Sequence, residues 1–213
     1  MIRSWALCLS LVMAAALAIA AAPAGATPLF KATAYPAKLK TAGEPQVFRT
    51  PSSAFKCSTM GLSGTLKASS STLTLSPGSP SCTFWDAPMT VKTNGCTFQV
   101  HLEKPDEVLA RFDGSLDLLC PEGKSLEFIS FFTQGCSWTY VEKTGLSRVT
   151  LENKPINTPD VVYLYFEVTG LKLTEKGKNS TCGEGTLTNG ILEGVIGLQA
   201  ETEKGVPQDF WVE

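Results

Sequence analysis

Apolar and polar residues alternate along much of the chain after residue 46, and such alternation is typical of short β-strands. The clearest run covers residues 161–169. One face of this predicted strand carries Val162, Leu164, Phe166 and Val168, and the other carries Val161, Tyr163, Tyr165, Glu167 and Thr169. After Gly170 the apolar parity shifts by one residue to Leu171 and Leu173, so a β-bulge is expected near residues 169–170.

Asn-Gly and Asp-Gly pairs predict where strands reverse, because these residues readily adopt the left-handed conformation of tight hairpin turns. Asn94-Gly95 is expected to form a hairpin that brings Val91 opposite Phe98. Asp113-Gly114 and Asn189-Gly190 are expected to form two more hairpins. Residues 116–120 and 125–132 are predicted to be further strands.

The whole pattern predicts an all-β protein. We expect an antiparallel β-sandwich of short strands and hairpins, stapled by disulfides, and a barrel-like variant is the open alternative. Residues 47–213 are predicted to form a single β-rich domain. Residues 27–46 contain three prolines and show little periodicity, which predicts an extended or flexible N-terminal segment.

Residues 1–26 have the pattern of a secretory signal peptide. Arg3 supplies a positive charge, residues 5–22 are mostly apolar, and Ala24-Gly25-Ala26 is a small-residue cleavage site. Cleavage is therefore predicted after Ala26, giving a secreted protein that is extracellular or lies at the cell surface. No transmembrane span is expected in the mature chain, because no second apolar run reaches the required length.

The chain has seven cysteines, and Cys8 would leave with the leader. The other six are expected to be oxidised in an exported protein. Zinc sites use closely spaced cysteine pairs or helper histidines, but here the nearest cysteines are 14 residues apart and His101 is the only histidine. Disulfides are therefore favoured over metal ligation, and we predict the sequential pairs Cys57–Cys82, Cys96–Cys120 and Cys136–Cys182.

Charge and motifs exclude several function classes. The formal net charge is −2 and like charges do not cluster, so the chain lacks the electrostatic signature of nucleic-acid or anionic-membrane binding. Phosphate-binding loops and calcium-binding loops are also missing from the sequence, and no cofactor or metal is predicted.

Candidate catalytic groups are few. Nucleophilic catalysis of the Ser-His-Asp kind would need His101, which the alternation places on a polar, solvated strand face. Glycoside hydrolysis by paired carboxylates stays open, because the sequence cannot place two of them at catalytic distance. The candidates are Asp106, Glu107, Asp113 and Asp117.

Aromatic residues offer a possible binding surface. Tyr163 and Tyr165 lie on the more polar face of their strand, and Trp85 and Trp138 lie near cysteines. Exposed rings could stack on sugars or bind a partner protein. The alternative is structural: a second sheet could cover the tyrosines, and the tryptophans could pack on disulfides.

Several motifs occur in an order similar to that of a group of small secreted actinobacterial proteins of unknown function. They are Cys57–Thr59, Gly61–Leu66, Leu73–Pro77, Thr93–Phe98, Asp117–Pro121 and Gly123–Ser125. The resemblance covers most of the chain from about residue 55 to residue 200. It implies export, a β-rich fold and about six cysteines, and it implies no activity and no site residues.

Together these features predict a secreted, disulfide-stabilised, non-catalytic β-domain that binds a carbohydrate or protein ligand or acts at the cell surface. The four aromatic residues Tyr163, Tyr165, Trp85 and Trp138 are its candidate ligand contacts. Two alternatives stay open: a carboxylate-dependent polysaccharide hydrolase and an inert extracellular spacer.

Overall fold

We describe a computed structural model, which covers residues 27–43, 46–50, 53–106, 111–130, 135–154, 160–177 and 185–213. The predicted leader, Glu107 and Cys182 lie outside these residues. The described residues form 17 strands and no helix. Within these residues there is therefore no helix with the length and apolar composition needed to span a membrane.

The strands follow one another through short connections. In chain order they are β1 (Phe30–Ala32), β2 (Ala37–Gly43), β3 (Gln46–Arg49), β4 (Ala54–Thr59), β5 (Leu62–Leu66), β6 (Thr72–Pro77), β7 (Ser81–Phe84), β8 (Ala87–Lys92), β9 (Thr97–Asp106), β10 (Arg111–Leu119), β11 (Leu126–Ser130), β12 (Cys136–Tyr140), β13 (Lys143–Lys154), β14 (Val161–Lys176), β15 (Gly185–Glu201), β16 (Pro207–Gln208) and β17 (Phe210–Val212).

Fifteen of these strands form one antiparallel sheet that closes on itself twice. One closed circuit runs β15-β2-β5-β6-β9-β10-β13-β14, and we call it the aliphatic half. The other runs β14-β12-β11-β8-β7-β4-β3-β15, and we call it the aromatic half. The predicted all-β, antiparallel, disulfide-linked fold is confirmed, and each half is closed in the manner of the barrel-like variant.

The long strands β14 and β15 belong to both halves, because each changes neighbours along its length. Residues 161–166 of β14 pair with β13, whereas residues 173–176 pair with β12. The expected bulge lies between these segments: the β14–β15 register shifts after Thr169, and Gly170 has a φ of 81°. The shift also explains why the buried positions change parity after Val168, as the sequence predicts.

The two interiors differ in chemistry. The aliphatic half buries mainly leucine, valine and isoleucine side chains from all eight strands, and these enclose a small apolar cavity of about 20 Å³. The aromatic half buries Phe48, Phe55, Phe84, Phe128, Trp138 and Tyr140. Their rings lie 4.6–6.4 Å apart and form one contiguous cluster.

A small separate sheet of β1 and β17 packs on the aliphatic half. Phe30 and Phe210 are both fully buried and stack with their centroids 6.0 Å apart. Asn153 of β13 donates to the carbonyl of Val212 and accepts from its amide, at 2.7 and 2.8 Å. Residues 27–46 thus contain β1 and β2, and β2 is paired on both sides within the aliphatic half.

The Asn94-Gly95 turn forms, but the hairpin predicted from it is wrong. Asn94 and Gly95 have φ values of 50° and 79°, and the Cys96 amide donates to the Thr93 carbonyl at 2.8 Å. The flanking strands then separate: β8 pairs with β7 and β11, and β9 pairs with β6 and β10. The turn therefore carries the chain from the aromatic half to the aliphatic half, and Val91 lies opposite Phe128 of β11 instead of Phe98.

The two other predicted hairpin turns are also wrong, because β10 continues through Asp113-Gly114 and β15 through Asn189-Gly190, with a shift of strand register at each place. Both glycines serve close packing. A Cβ on Gly114 would lie 2.5 Å from the carbonyl oxygen of His101, and a Cβ on Gly190 would lie 2.5 Å from Leu173. Gly114 is required for the approach of the β9 backbone, and Gly190 leaves room for the Leu173 side chain, so neither glycine serves a reversal of the chain.

Two predicted disulfides are confirmed. Cys57–Cys82 links β4 to β7 inside the aromatic half, and Cys96–Cys120 links the start of β9 to the end of β10. Cys136 is also disulfide-bonded. Its predicted partner Cys182 lies outside the described residues, so that pairing stays a prediction.

Candidate ligand-binding face

The outer surface of the aliphatic half carries two tyrosines in a row. Val162, Leu164 and Phe166 point into the core, so strand alternation places Tyr163 and Tyr165 on the outside of β14. Both are half-buried, and their ring centroids lie 6.3 Å apart at an angle of 31°. Sequence alternation therefore places both side chains on the correct face.

Charged side chains from β10 and β13 surround these tyrosines. In register across the sheet, Tyr163 lies opposite Glu152, and Glu152 lies opposite Arg111. The guanidinium carbon of Arg111 is 5.8 Å from the centre of the Tyr165 ring, a distance at which a cation interacts with the ring face. The strand register thus places a cation next to an aromatic ring.

Glu152 connects these groups. One carboxylate oxygen lies 2.7 Å from the Lys154 ammonium, and the other lies 3.6 Å from Arg111. The hydrogen bond from Lys154 lowers the pKa of Glu152. The positive charges of Lys154 and Arg111 and a hydrogen bond from Tyr165 lower it further, while partial desolvation opposes them. Glu152 is therefore an anion that orients the cations and the tyrosine around it.

A groove of about 440 Å³ lies beside Tyr165. Its lining residues are Arg148 and Thr150 of β13, Tyr165, Phe166 and Glu167 of β14, and Gly194 of β15. The Arg148 guanidinium donates to Glu167 at 3.1 Å, and Arg148 has a φ of 67°. β13 pairs with β14 only from Val149 onward, so the groove lies where the two strands separate.

The groove combines the features of a small ligand site. Its volume is within the range of about 300–1,000 Å³ that is typical of ligand pockets. Tyr165 offers a ring for stacking, and Arg148, Glu167 and Thr150 offer hydrogen-bond donors and acceptors. Within the described residues, no three metal-ligating side chains are grouped. The arrangement is suited to reversible binding of a polar ligand that has a flat apolar face.

The structure separates the four aromatic residues that the sequence singles out. Trp138 is fully buried in the aromatic half, between Phe55 and Phe84, so it is not part of an exposed surface. Trp85 is 64% exposed at the turn between β7 and β8 in the same half. The tyrosine pair lies in the aliphatic half, so the four residues do not line one groove.

The candidate catalytic residues form local cross-strand contacts. His101 Nε2 lies 2.9 Å from an Asp117 carboxylate oxygen, and the other oxygen of Asp117 accepts from the Gly145 amide at 2.7 Å. Nδ1 of His101 lies 3.4 Å from the Thr72 hydroxyl. His101 is thus tied to its strand neighbours. Asp113, in turn, lies 3.7 Å from the Lys104 ammonium.

Sequence reasoning missed Arg111, Arg148, Glu152 and Glu167 as members of this site. They come from three strands, β10, β13 and β14, and only the register between these strands brings them together. The sequence of one strand does not indicate which side chains of other strands will contact it. Positions 148–154 could have been recognised as a strand with a charged outer face, but their neighbours could not.

Comparisons with protein-family models, with curated proteins and with solved structures found no match to this chain. The resemblance to small secreted actinobacterial proteins therefore stays a prediction.

Proposed function

We propose that this protein is an extracellular, non-catalytic carbohydrate-binding module whose ligand occupies the groove beside Tyr165. The observation that carries the proposal is that a tyrosine ring and the Arg148–Glu167 ion pair line the same 440 Å³ groove. Sugars present both an apolar ring face and a set of hydroxyl groups, so they require both kinds of contact.

Each group has a defined role in the proposal. The Tyr165 ring stacks on the apolar face of a sugar, and Arg111 and Glu152 of the neighbouring strands hold that tyrosine in place. Arg148 and Glu167 then donate to and accept from the hydroxyls. Because Arg148 and Glu167 are 64% and 61% exposed, little desolvation is needed for them to exchange their ion pair for sugar contacts.

The disulfides support the extracellular part of the proposal. Cystines persist in oxidising compartments and are rare in the cytosol of most organisms. Cys57–Cys82 and Cys96–Cys120 each link adjacent strands. This is compatible with the predicted export signal and with a ligand outside the cell.

The test is a glycan array followed by titration calorimetry on the best ligand, comparing the wild type with Tyr165→Ala, Tyr165→Phe and Arg148→Ala. Tyr165→Ala is expected to weaken binding at least tenfold, or about 1.4 kcal/mol, and Tyr165→Phe to retain most of the affinity. Val206→Ala is the matched control, because Val206 is an exposed apolar side chain outside the groove.

Three results would contradict the proposal. Equal affinity of wild type and Tyr165→Ala would remove the groove as the site. If the protein bound other proteins but no glycan, its ligand would be a protein and not a carbohydrate. Shortening of the bound oligosaccharide on incubation would favour the hydrolase alternative.

A further inference from the structure

The turn between β7 and β8 contains an unusual backbone. Phe84 pairs with Ala87, so Trp85 and Asp86 form a two-residue hairpin loop with φ values of 48° and 62°. The Asn94-Gly95 turn has nearly the same pair of values, 50° and 79°. Asn-Gly adopts this conformation easily, whereas a bulky side chain in the left-handed region is a genuine outlier. The chain therefore holds Trp85 in a conformation that it disfavours.

Burial of the indole does not explain this conformation. Trp85 is 64% exposed, more than any other large apolar side chain in the described part of the molecule. Its ring stacks on Phe84 with centroids 4.8 Å apart and planes 15° apart, and Phe84 is anchored in turn against Trp138 at 4.9 Å. The indole is thus fixed from one side, and a large part of its surface faces solvent.

We infer that Trp85 is a second sugar-stacking site, which holds a polysaccharide chain on the aromatic half while the groove beside Tyr165 holds it on the aliphatic half. This inference rests on the proposed function. Strained residues that the surrounding structure holds in place concentrate at ligand-binding positions. A rigidly held aromatic side chain with an exposed face also loses little conformational entropy when a ligand stacks on it.

The surroundings of Trp85 favour a sugar as its ligand. Thr83 precedes it on the outer face of β7 and lies opposite Lys56 of β4. The Thr83 hydroxyl and the Lys56 ammonium, on the outer face close to the exposed ring, are suited to the hydroxyls of a polysaccharide whose apolar face stacks on the indole.

The charge around Trp85 argues against an anionic membrane. Trp85 is followed by the exposed Asp86, whose charge offsets that of the nearby Lys56, and the whole chain has a net charge of −2. Insertion of an exposed tryptophan into anionic lipid is normally supported by nearby lysine and arginine residues. A carboxylate next to the indole opposes that insertion but can accept hydrogen bonds from sugar hydroxyls.

Two sites on one molecule make a specific prediction about ligand length. A polymer long enough to engage both sites, or a solid with many chains, is retained more strongly than a short oligosaccharide, because the second contact is intramolecular. A short oligosaccharide occupies one site at a time, so loss of Trp85 leaves its affinity for the groove unchanged.

The test compares retention on insoluble cellulose, chitin and peptidoglycan with affinity for the matching short oligosaccharides. The principal variant is W85N/D86G, because the chain itself uses Asn-Gly in this backbone conformation and the turn is expected to form. Trp85→Phe retains an aromatic face, and Val206→Ala is the exposed apolar control. Circular dichroism and a denaturant midpoint verify that each variant is folded.

W85N/D86G is expected to lose at least fivefold in retention on the bound polymer and to keep wild-type affinity for the short oligosaccharide. Trp85→Phe should recover most of the retention. Unchanged retention of W85N/D86G would overturn the inference and leave the groove proposal intact. Loss of retention in W85N/D86G but not in Tyr165→Ala would instead remove the groove and keep Trp85.

The membrane alternative has its own measurement. Vesicles of phosphatidylcholine with phosphatidylglycerol are sedimented with wild type and with W85N/D86G. No Trp85-dependent sedimentation is expected. Trp85-dependent sedimentation together with no retention on any of the three polysaccharides would show that the exposed indole serves a lipid surface, and this would overturn the inference.

Discussion

The aliphatic and aromatic halves are both closed antiparallel sheets, but different side chains fill their interiors. The aliphatic half includes the strands β9, β10 and β13, which have 10, 9 and 12 residues. The aromatic half, apart from the shared β14 and β15, is built from strands of 4–6 residues. Short strands contribute few inward side chains, so each must bury more area, and aromatic side chains and a cystine provide it.

The same difference decides where a ligand can bind. Long strands in the aliphatic half extend past their partners, and the groove lies where β13 separates from β14. The aromatic half, in contrast, presents its exposed aromatic surface at a turn, where Trp85 projects from the stack on Phe84. The proposed ligand site of the aliphatic half therefore lies on a sheet face, and that of the aromatic half lies at the tip of a hairpin.

The most direct way to test this contrast is to remove one core side chain from each half. Phe128→Ala takes away a fully buried ring that contacts Phe48, Phe55 and Tyr140, and a loss of about 3–5 kcal/mol in unfolding free energy is expected. Leu75→Ala in the aliphatic half is expected to cost about 2–5 kcal/mol, in the lower part of this range.

Urea denaturation at equilibrium measures both changes. The wall of the existing 20 Å³ cavity includes Leu75, and a core with free space has room to relax around the deletion. A greater loss for Leu75→Ala than for Phe128→Ala would break the contrast, because it would show that the aliphatic half is the more tightly packed of the two.

The Cys57–Cys82 and Cys96–Cys120 disulfides offer a second comparison. They span 25 and 24 residues, so the loop-entropy model gives each about 3.5 kcal/mol of stabilisation. Replacing both cysteines of either pair by alanine should lower stability by similar amounts. Accessibility differs, since Cys57 and Cys82 are buried in the aromatic half and Cys120 is only partly buried.

Partial reduction followed by alkylation and peptide mapping measures that difference. Cys96–Cys120 is expected to be reduced before Cys57–Cys82, because a reducing thiolate can reach Cys120. Prior reduction of Cys57–Cys82 would mean that the aromatic half opens more readily than the aliphatic half.

Gly114 in the aliphatic half provides a backbone test. An alanine Cβ there would lie 2.5 Å from the backbone oxygen of His101, which cannot move independently of β9. Gly114→Ala is expected to cost about 1–3 kcal/mol, the usual range for overpacking. Gly61→Ala is the control, because no atom lies within 4 Å of its added Cβ. Thermal unfolding of both variants checks the prediction, and equal midpoints would contradict it.

The smallest expected effect concerns pH. Folding lowers the pKa of Glu152, so its contribution to stability is fully present above the pKa of an unfolded glutamate, about 4.3, and is lost as the pH falls through the lower folded value. Glu152→Gln should therefore lower stability near neutral pH and have progressively less effect below about pH 4. Urea midpoints at several pH values measure this, and a constant difference would rule out the ionic role.

Much of the fold is predictable from local sequence. Burial alternates along β14 as its residues alternate, and the bulge at Gly170 follows from the change of parity. The hairpins built on Asn94-Gly95, Asp113-Gly114 and Asn189-Gly190 are not predictable in the same way. Asn-Gly and Asp-Gly permit a turn, but the glycine of each pair also permits a neighbouring strand to approach closely. The sequence around each pair does not show whether the glycine serves a turn or a close approach.

The candidate site shows the same division. Tyr163 and Tyr165 could be assigned to an outer face, because the face of a side chain depends only on its own strand. Trp138 and Trp85 could not be told apart, because the exposure of a ring depends on which strands surround it. The contact of Arg111 with Tyr165 depends on two strand registers at once, and no local pattern contains it.

The sequence by itself determined that the chain is all-β and which faces of its strands are buried, and it led to the confirmed prediction of the pairs Cys57–Cys82 and Cys96–Cys120. These properties depend on short-range alternation and on pairing of strands that are close in sequence. Only the tertiary structure decided that the sheet closes into two halves and that β8 and β9 belong to different ones. That choice is made by the summed packing of distant side chains, which is a property of the whole chain and not of any segment.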